Sequence, residues 1–173
     1  MNRKHFIRTT GFSLASLLIS ESIFAGKGNE QRLKYPEEVT AVVNGKSVSL
    51  KSKGKLQWAS DDLLVDLKYS SKKISISLQA LRSRLSNVTL KWKKPMHAGS
   101  LILNDHWERT YGDVSWHKHS SAEILPWYFM EHNGNETNGF GVKTGAASFC
   151  SWEFSGDYLT RKLDTTSGGI VVH

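Results

Sequence analysis

One stretch of fourteen residues, LNDHWERTYGDVSW at 103–116, concentrates side chains that could do chemistry. It holds two tryptophans, a tyrosine, a histidine, an arginine and three carboxylates, and few aliphatic residues. A strand in a protein core has no use for so many ionisable groups, because burying an unpaired charge is costly. A few polar groups beside aromatic walls are typical of a ligand site. The stretch therefore predicts a site for a polar ligand.

Two other interpretations of this stretch compete with a ligand site. Arg109 could form a bidentate ion pair with Glu108 or Asp113 and so pin a loop. Trp107 and Trp116 would then be core residues. Asp105 and Asp113 could instead be a catalytic pair, but carboxylates at such a spacing are common and no other feature of the sequence supports catalysis. We therefore predict no catalytic residue.

Four histidines, His106, His117, His119 and His132, raise the question of a metal site, whereas a single cysteine rules out a cysteine-based one. His117 and His119 are two positions apart, so a strand would direct both imidazoles to one face, as in some zinc sites. Lys118 lies between them and the sequence offers no clear third ligand, so a surface pair is the preferred interpretation. Cys150, in SFCSWEF, is flanked by aromatic residues and is predicted to be a small buried hydrophobe. The sequence therefore predicts neither a metal nor a cofactor.

The elements that position these groups follow a predicted export signal. Residues 1–25 combine a basic head, an apolar run from Phe12 to Ile19 and a small residue, Ala25, at the expected cleavage point. The start NRKHFIR is similar to a twin-arginine signal with Lys4 in place of the second arginine. The apolar run is shorter than the about 20 residues of a membrane-spanning helix. We therefore predict a periplasmic or extracellular protein without a stable membrane anchor after signal removal; an N-terminal amphipathic helix is the alternative.

The net charge argues against a nucleic-acid partner. The chain carries +7, and three basic residues and one acidic residue in the signal account for two of those charges. The remaining surplus comes mostly from lysines that alternate with apolar residues between positions 46 and 94, and lysines on strands commonly protect sheet edges. A nucleic-acid-binding protein would cluster its basic residues on a recognisable module. We therefore predict no nucleic-acid partner.

Past a polar linker at 26–36, apolar residues recur with a period of two. Asn44-Gly45 is a strong hairpin signal. Ile74, Ile76 and Leu78 share one predicted strand face, while the polar residues between them share the other. NVTLKWKK alternates in the same way, with Val88, Leu90 and Trp92 together. The period predicts an all-β protein.

The predicted fold is one antiparallel β-sandwich, supersandwich-like, over residues 37–173. Turn signals recur about every ten residues, as in such sandwiches. PWYFMEHNG is predicted to be a strand buried on both faces, and residues 118–124 could form one short turn of helix. The chain stops at TTSGGIVVH, in a strand that has just begun. An unfinished strand leaves backbone groups unpaired, so we expect the domain to be incomplete at its C-terminus.

Four motifs occur in order along the second half of the chain: D-x-W-E-R-x-Y-G-D at 105–113, P-W-Y-F at 126–129, G-x-G-V-K-T-G at 139–145 and F-C-S-W at 149–152. Together they resemble the N-terminal β-sandwich region of α-galactosidase-like proteins of glycoside hydrolase family 36 and its relatives. The resemblance covers residues 95–170 and, more loosely, the strands before them.

The resemblance implies a retaining glycosidase whose two catalytic carboxyl groups lie on a (β/α)₈ barrel after the sandwich. Such a barrel takes about 250 residues, more than this chain of 173 residues holds. The implied role of the chain is therefore non-catalytic. It would support the barrel, offer homo-oligomer contacts, and lend a loop to the pocket for a galactoside-like glycan.

In that role the substrate-binding candidates are Asp105, Trp107, Arg109 and Asp113, with Asp105 bonding sugar hydroxyl groups and Trp107 forming a wall. Two rival functions remain open. One is a stand-alone carbohydrate-binding module without catalysis. The other is a structural or interaction domain whose aromatic residues all belong to the core.

Overall fold

The computed structural model describes residues 14–17, 33, 35–70, 73–80, 82–106, 113–121, 123–142 and 149–165. Every regular element in these ranges is a β-strand, and every strand pair is antiparallel. The predicted class, an all-β protein with antiparallel sheets in a sandwich, is confirmed.

The described ranges contain fifteen strands. In chain order they are β1 (Leu14–Leu17), β2 (Glu38–Val43), β3 (Lys46–Ser49), β4 (Lys51–Gly54), β5 (Gln57–Ala59), β6 (Leu63–Ser70), β7 (Lys73–Ala80), β8 (Leu85–Lys93), β9 (Leu101–Asn104), β10 (His117–Lys118), β11 (Leu125–Pro126), β12 (Phe129–His132), β13 (Thr137–Phe140), β14 (Phe149–Ser155) and β15 (Tyr158–Asp164).

These strands form three sheets. The five-strand sheet has the order β1-β7-β6-β5-β4, the four-strand sheet β10-β9-β12-β13, and the six-strand sheet β11-β14-β15-β8-β2-β3. The first of these includes β1, which lies within the predicted signal and whose backbone pairs with β7. Buried residues of all three sheets belong to one continuous hydrophobic core.

In strands of the five-strand and six-strand sheets, every second side chain is buried in that core. In β7 the side chains of Ile74, Ile76 and Leu78 are buried, while the residues between them are half-buried. In β8 the buried set is Val88, Leu90 and Trp92. Both predicted faces are confirmed. Each fully buried aliphatic side chain of this kind contributes about 1.5–3 kcal/mol relative to an exposed one.

The turn between β2 and β3 is the predicted Asn44-Gly45 hairpin. Asn44 has φ 50° and Gly45 has φ 78°, the left-handed pair that a two-residue hairpin of type I′ requires. The Asn44 side chain is fixed as well, because its Oδ1 accepts a hydrogen bond from the Arg84 backbone N–H at 2.9 Å and its Nδ2 donates to Ser83 Oγ at 3.2 Å.

An aromatic layer joins the four-strand sheet to the six-strand sheet. Phe129 of β12 stacks on Phe140 of β13 with 4.8 Å between ring centroids. It also meets Trp152 and Phe154 of β14 edge-on, at 5.7 and 5.3 Å. Cys150 is fully buried in the same strand, as predicted for a small hydrophobe.

Two local predictions were wrong. The strand predicted for PWYFMEHNG begins only at Phe129, because Trp127 has φ 60° and cannot continue an extended strand. Trp127 packs on Phe149 instead, at 5.3 Å between centroids. Residues 118–124 contain no helix in their described part; hydrogen bonds from Glu123 N to Ser120 O, 2.9 Å long, and from Ser120 N to Glu123 Oε2, 3.3 Å long, close a turn there.

Candidate functional site

Asp105 immediately follows the last residue of β9 and is half-buried. Its Oδ1 accepts a hydrogen bond from the His106 backbone N–H at 2.9 Å. Its backbone carbonyl accepts one from Asn104 Nδ2, also at 2.9 Å. Among the described residues, none donates a hydrogen bond to Oδ2 of Asp105. Within the described residues, the carboxylate is therefore anchored through Oδ1 alone.

Of the other three predicted site residues, the structure describes Asp113 alone. Trp107 and Arg109 lie outside the described residues, so their predicted roles stay predictions. Asp113 is described and exposed, and it lies at the far end of the segment that begins after His106. Asp105 and Asp113 therefore flank the segment of chain that carries Trp107 and Arg109.

The sequence interpretation that made Trp116 a core residue was wrong. Its side chain is 42% exposed, just before β10. Its ring meets the imidazole of His132, in β12, edge-on with 5.8 Å between centroids. The segment around it, DVSWHK, alternates like a strand with one buried face, since Val114 and Trp116 are two positions apart. Both are nevertheless exposed, so the local pattern did not reveal the exposure of Trp116. We call Trp116 and His132 the Trp116 platform.

The Trp116 platform belongs to the outer face of the four-strand sheet. In β9, Leu101 and Leu103 are half-buried while Ile102 is fully buried. The register places Leu101 opposite His132 and Leu103 opposite Met130 in β12. Residues directly opposite each other share a face. The outer face thus combines apolar side chains with an indole and an imidazole.

The inner face of the same sheet holds a buried charge centre that sequence reasoning missed. Glu131 of β12 is fully buried. Its Oε2 accepts a hydrogen bond from Lys94 Nζ at 2.7 Å. Its Oε1 accepts from the backbone N–H of His97 at 3.2 Å and from Ser100 Oγ at 3.2 Å, and lies 3.1 Å from His97 Nδ1.

The charge centre keeps Glu131 ionised. Burial alone would raise the pKa of Glu131, but the Lys94 ammonium and the hydrogen bonds from Lys94 and His97 outweigh it and hold that pKa below its usual value. A carboxyl group with a lowered pKa and several partners is a poor general acid. Its contacts instead tie residues 94–100, which run from β8 to β9, to β12.

A second polar cluster joins the two histidines that were considered as zinc ligands. Glu123 bridges them: its Oε1 lies 2.7 Å from His117 Nε2, and its Oε2 lies 3.3 Å from His119 Nδ1. The His119 ring packs edge-on against Phe154 at 5.5 Å, with its side chain 11% exposed. The predicted surface pair is therefore wrong for His119, and a carboxylate links the two rings.

Hydrogen bonding favours the protonated form of His117. Its Nδ1 lies 3.0 Å from the Ser115 carbonyl oxygen. That contact raises the pKa of His117, burial opposes the rise, and Glu123 adds to it, so the pKa lies above its usual value.

Two further properties bear on the class of site. Across the described ranges, no group of three histidine, cysteine, aspartate or glutamate side chains is placed to hold a metal ion. The same ranges contain no helix with the length and apolarity needed to cross a bilayer. Two described groups could contact a ligand: the Asp105 carboxylate offers a hydrogen-bond acceptor, and the Trp116 platform offers an aromatic plane.

Comparison of the chain with protein-family models, with curated proteins and with solved structures found no match. The fold and the site define an antiparallel β-sandwich protein. Its four-strand sheet carries Asp105 directly after β9 and the exposed indole of Trp116 just before β10.

Proposed function

We propose that this chain is the non-catalytic N-terminal sandwich domain of an exported α-galactosidase-like glycoside hydrolase. It supports the catalytic barrel and contributes Asp105, with Trp107, Arg109 and Asp113, to the pocket for a galactoside-like glycan. The four sequence motifs support the family. The observation that supports the sugar-binding role most directly is the half-buried Asp105 carboxylate, anchored through Oδ1 by the His106 amide; among the described residues, none donates a hydrogen bond to its Oδ2.

The geometry of Asp105 suits a sugar hydroxyl group. A hydrogen bond from the His106 amide fixes the plane of the carboxylate before a ligand arrives, so little side-chain entropy is lost on binding. Hydrogen bonds to an ionised acceptor are about twice as strong as neutral ones. Asp105 is only half-buried, so its charge is solvated when no ligand is bound and can be desolvated when one binds.

The non-catalytic part of the proposal rests on the resemblance, which implies that both catalytic carboxyl groups lie on a barrel after the sandwich; the state of two described glutamates agrees with it. A retaining glycosidase needs a nucleophile and an acid/base about 5–5.5 Å apart, the latter with a raised pKa. Glu131 is buried and held ionised by Lys94, and Glu123 is engaged by two histidines. Neither is available to attack or protonate a glycosidic bond.

Sugar binding by the full chain tests the proposal. We expect titration with methyl α-galactoside, followed by calorimetry, to show binding that Asp105→Asn weakens about tenfold or more, because a hydrogen bond to a charged group contributes about 1.5–3 kcal/mol. Asp157→Asn, an exposed aspartate in the turn between β14 and β15, is the matched control and should bind as the wild type does. Equal affinity of Asp105→Asn and wild type, with equal thermal midpoints, would contradict the proposal.

Trp107→Ala separates a ligand role from a core role for that residue. Loss of sugar binding at an unchanged thermal midpoint supports the wall assigned to Trp107, whereas unfolding of the variant supports the core alternative. Hydrolysis of an aryl α-galactoside by the chain alone should be absent. The reading frame beyond His173 should encode a barrel with aspartates at its strand ends.

The second candidate function is a stand-alone carbohydrate-binding module, and the exposed Trp116 favours it. Sugar C–H faces stack on indole rings, and the Trp116 platform offers a polar neighbour in His132. In that case Trp116→Ala should abolish glycan binding and Asp105→Asn should leave it intact. The proposed domain function predicts the reverse order of effects.

A further inference from the structure

The two edges of the five-strand sheet are built differently. The β4 edge carries Lys51 and Lys53, both exposed, and its register with β5 shifts between Ser52 and Gly54. Lysines and bulges are the usual protection of a free sheet edge against pairing with another chain. This edge is therefore protected as it stands.

At the other end of the sheet, β7 lies next to the outer strand β1, and the side of β7 that faces β1 has neither protection. Its sequence, KISISLQA, has a single charged residue, Lys73, at the first position. Its register with β6 runs without a shift over all eight residues, from Ser70 opposite Lys73 to Leu63 opposite Ala80. A regular strand edge without a central charge is a template for a further strand, so β7 is suited to be paired on its outer side.

In the full chain, β1 occupies this edge. The backbone of Leu14–Leu17 pairs with β7 from Leu14 opposite Gln79 to Leu17 opposite Ile76. β1 lies in the predicted export signal, and cleavage after Ala25 removes it. The processed chain then presents the outer N–H and C=O groups of β7 without the strand that had covered them, and unpaired backbone groups at an edge favour a new strand partner.

The sequence of β7 is suited to pairing with itself. A two-fold axis at Ile76 in an antiparallel pair sets Ile74 of one copy opposite Leu78 of the other, and Ser75 opposite Ser77. Apolar residues then meet apolar residues on the core face, where Ile74, Ile76 and Leu78 are buried. Such like-with-like pairing is what a symmetric, isologous interface requires.

The same register avoids charge repulsion. Lys73 falls opposite Gln79 of the other copy, so no two lysines oppose each other along the pair. A register shifted by one residue would set the buried isoleucines against serine or glutamine and move the core face of one copy to the solvent side of the other.

We propose that, once residues 1–25 are removed, β7 of one copy pairs antiparallel with β7 of a second copy across a two-fold axis at Ile76. The dimer then carries one continuous sheet with β7, β6, β5 and β4 from each copy. The proposal rests on the predicted removal of the signal, and it is independent of sugar binding at Asp105.

Disulfide trapping with single-cysteine additions tests the dimer and its register. Ser75→Cys and Ser77→Cys are produced separately as full chains in an exporting host, mixed under reducing conditions and then oxidised. Directly opposite residues have Cβ atoms about 4.5–5.5 Å apart, so the mixture should give a disulfide-linked heterodimer. Each variant alone places its cysteines diagonally, about 7–8 Å apart, beyond ordinary disulfide reach, and should cross-link several-fold less.

The matched control is the protected edge. Lys51→Cys and Lys53→Cys, alone or mixed, should give no disulfide dimer above background, since β4 is exposed but not paired. Cys150 is fully buried and does not compete. Light scattering should give twice the processed mass for the exported wild type, and intact mass spectrometry should confirm that residues 1–25 are gone.

Each contrary outcome overturns the proposal at a distinct step. A processed wild type that is monomeric at tens of micromolar excludes the dimer. Cross-linking of each variant with itself as efficient as that of the mixture excludes the register. Retention of residues 1–25 in the exported protein excludes the premise, because β1 then keeps the edge, while methyl α-galactoside binding can still be measured on that protein.

Discussion

Glu131 is a fully buried carboxylate whose hydrogen-bond partners come from the segment leading into β9. Lys94 neutralises it at 2.7 Å, and His97 and Ser100 donate to its second oxygen. A buried ion pair gains little over a well-packed apolar pair, yet removing one partner is costly because the other charge stays buried. The contribution of Glu131 to the free energy of unfolding is therefore measurable only when one partner of the pair is removed.

Glu131→Gln should destabilise the protein by about 3–5 kcal/mol, because it leaves the Lys94 ammonium buried without a counter-charge. Denaturant titration measures the change. Glu38→Gln is the control: Glu38 pairs with Lys91 at 3.4 Å, with half of its side chain exposed (51%), and should cost less than about 1 kcal/mol. Adding Lys94→Met to Glu131→Gln should recover part of the loss. Equal costs for the two glutamate variants would contradict this reading of the charge centre.

His117 gives the protein a pH-dependent contact with Glu123. The Ser115 carbonyl and, after it, Glu123 raise the pKa of His117 in the folded state. The part due to Glu123 stabilises the protein fully below the unfolded value of about 6.5 and is lost as pH rises through the folded pKa. Wild type should therefore exceed Glu123→Gln in stability at pH 5.5 and approach it at pH 9. The difference should stay below about 1 kcal/mol, since His117 is partly exposed. Denaturant titrations across this range measure it, and parallel pH profiles of the two proteins would rule it out.

At the scale of strands, local patterns were predictable and long-range partners were not. Alternation alone placed Ile74, Ile76 and Leu78 on the buried face, because a strand directs every second side chain to the same side. The turn at Asn44-Gly45 was equally predictable from the sequence. Both features depend on neighbours within a few residues of each other.

The missed features depend on residues far apart in sequence. Lys94 and Glu131 are 37 positions apart, and no local pattern links a lysine after one strand to a glutamate inside another. Arg161 lies on the core face of β15, fully buried, with its guanidinium 4.7 Å from the Trp152 ring centroid. A core position between Leu159 and Leu163 ordinarily carries an apolar residue, so no local pattern points to an arginine there. The Trp116 platform was not predicted for a related reason: one of the open interpretations placed Trp116 in the core, and its exposure depends on which sheet face remains uncovered.

The β2–β3 hairpin depends on the backbone freedom of Gly45. At φ 78° an alanine is strained although no atom lies within 4 Å of the added Cβ, so Gly45→Ala should cost about 1–2 kcal/mol from the backbone alone. Gly141→Ala is the control, because its Cβ would meet Tyr128 Cβ at an ordinary 3.5 Å. Thermal unfolding of both variants measures the difference. A larger loss for Gly141→Ala would contradict the argument.

At the scale of the whole molecule, three sheets share one core. Trp58 of β5 in the five-strand sheet and Trp92 and Trp152 in the six-strand sheet belong to the same buried cluster. Elements that share a core lose their packing together, since none can expose its face without exposing a neighbour's. The sheets should therefore not unfold one at a time.

We expect one cooperative unfolding transition. Cys150 is a convenient probe because it is fully buried in β14 and should react with a thiol reagent only after unfolding. Its labelling, tryptophan fluorescence and far-ultraviolet circular dichroism should give coincident denaturant midpoints. Circular dichroism loss at a lower denaturant concentration than Cys150 labelling would instead indicate that one sheet unfolds separately.

The bond from the His97 amide to Glu131 has a consequence for solvent exchange. Residues 94–100 carry no strand, and amides in such connections ordinarily trade their protons for deuterium within seconds to minutes through small local openings. The His97 amide is bonded to a carboxylate that water does not reach. Its proton should thus be released only when β12 separates from the connection, on the timescale of the slowest amides in the sheets.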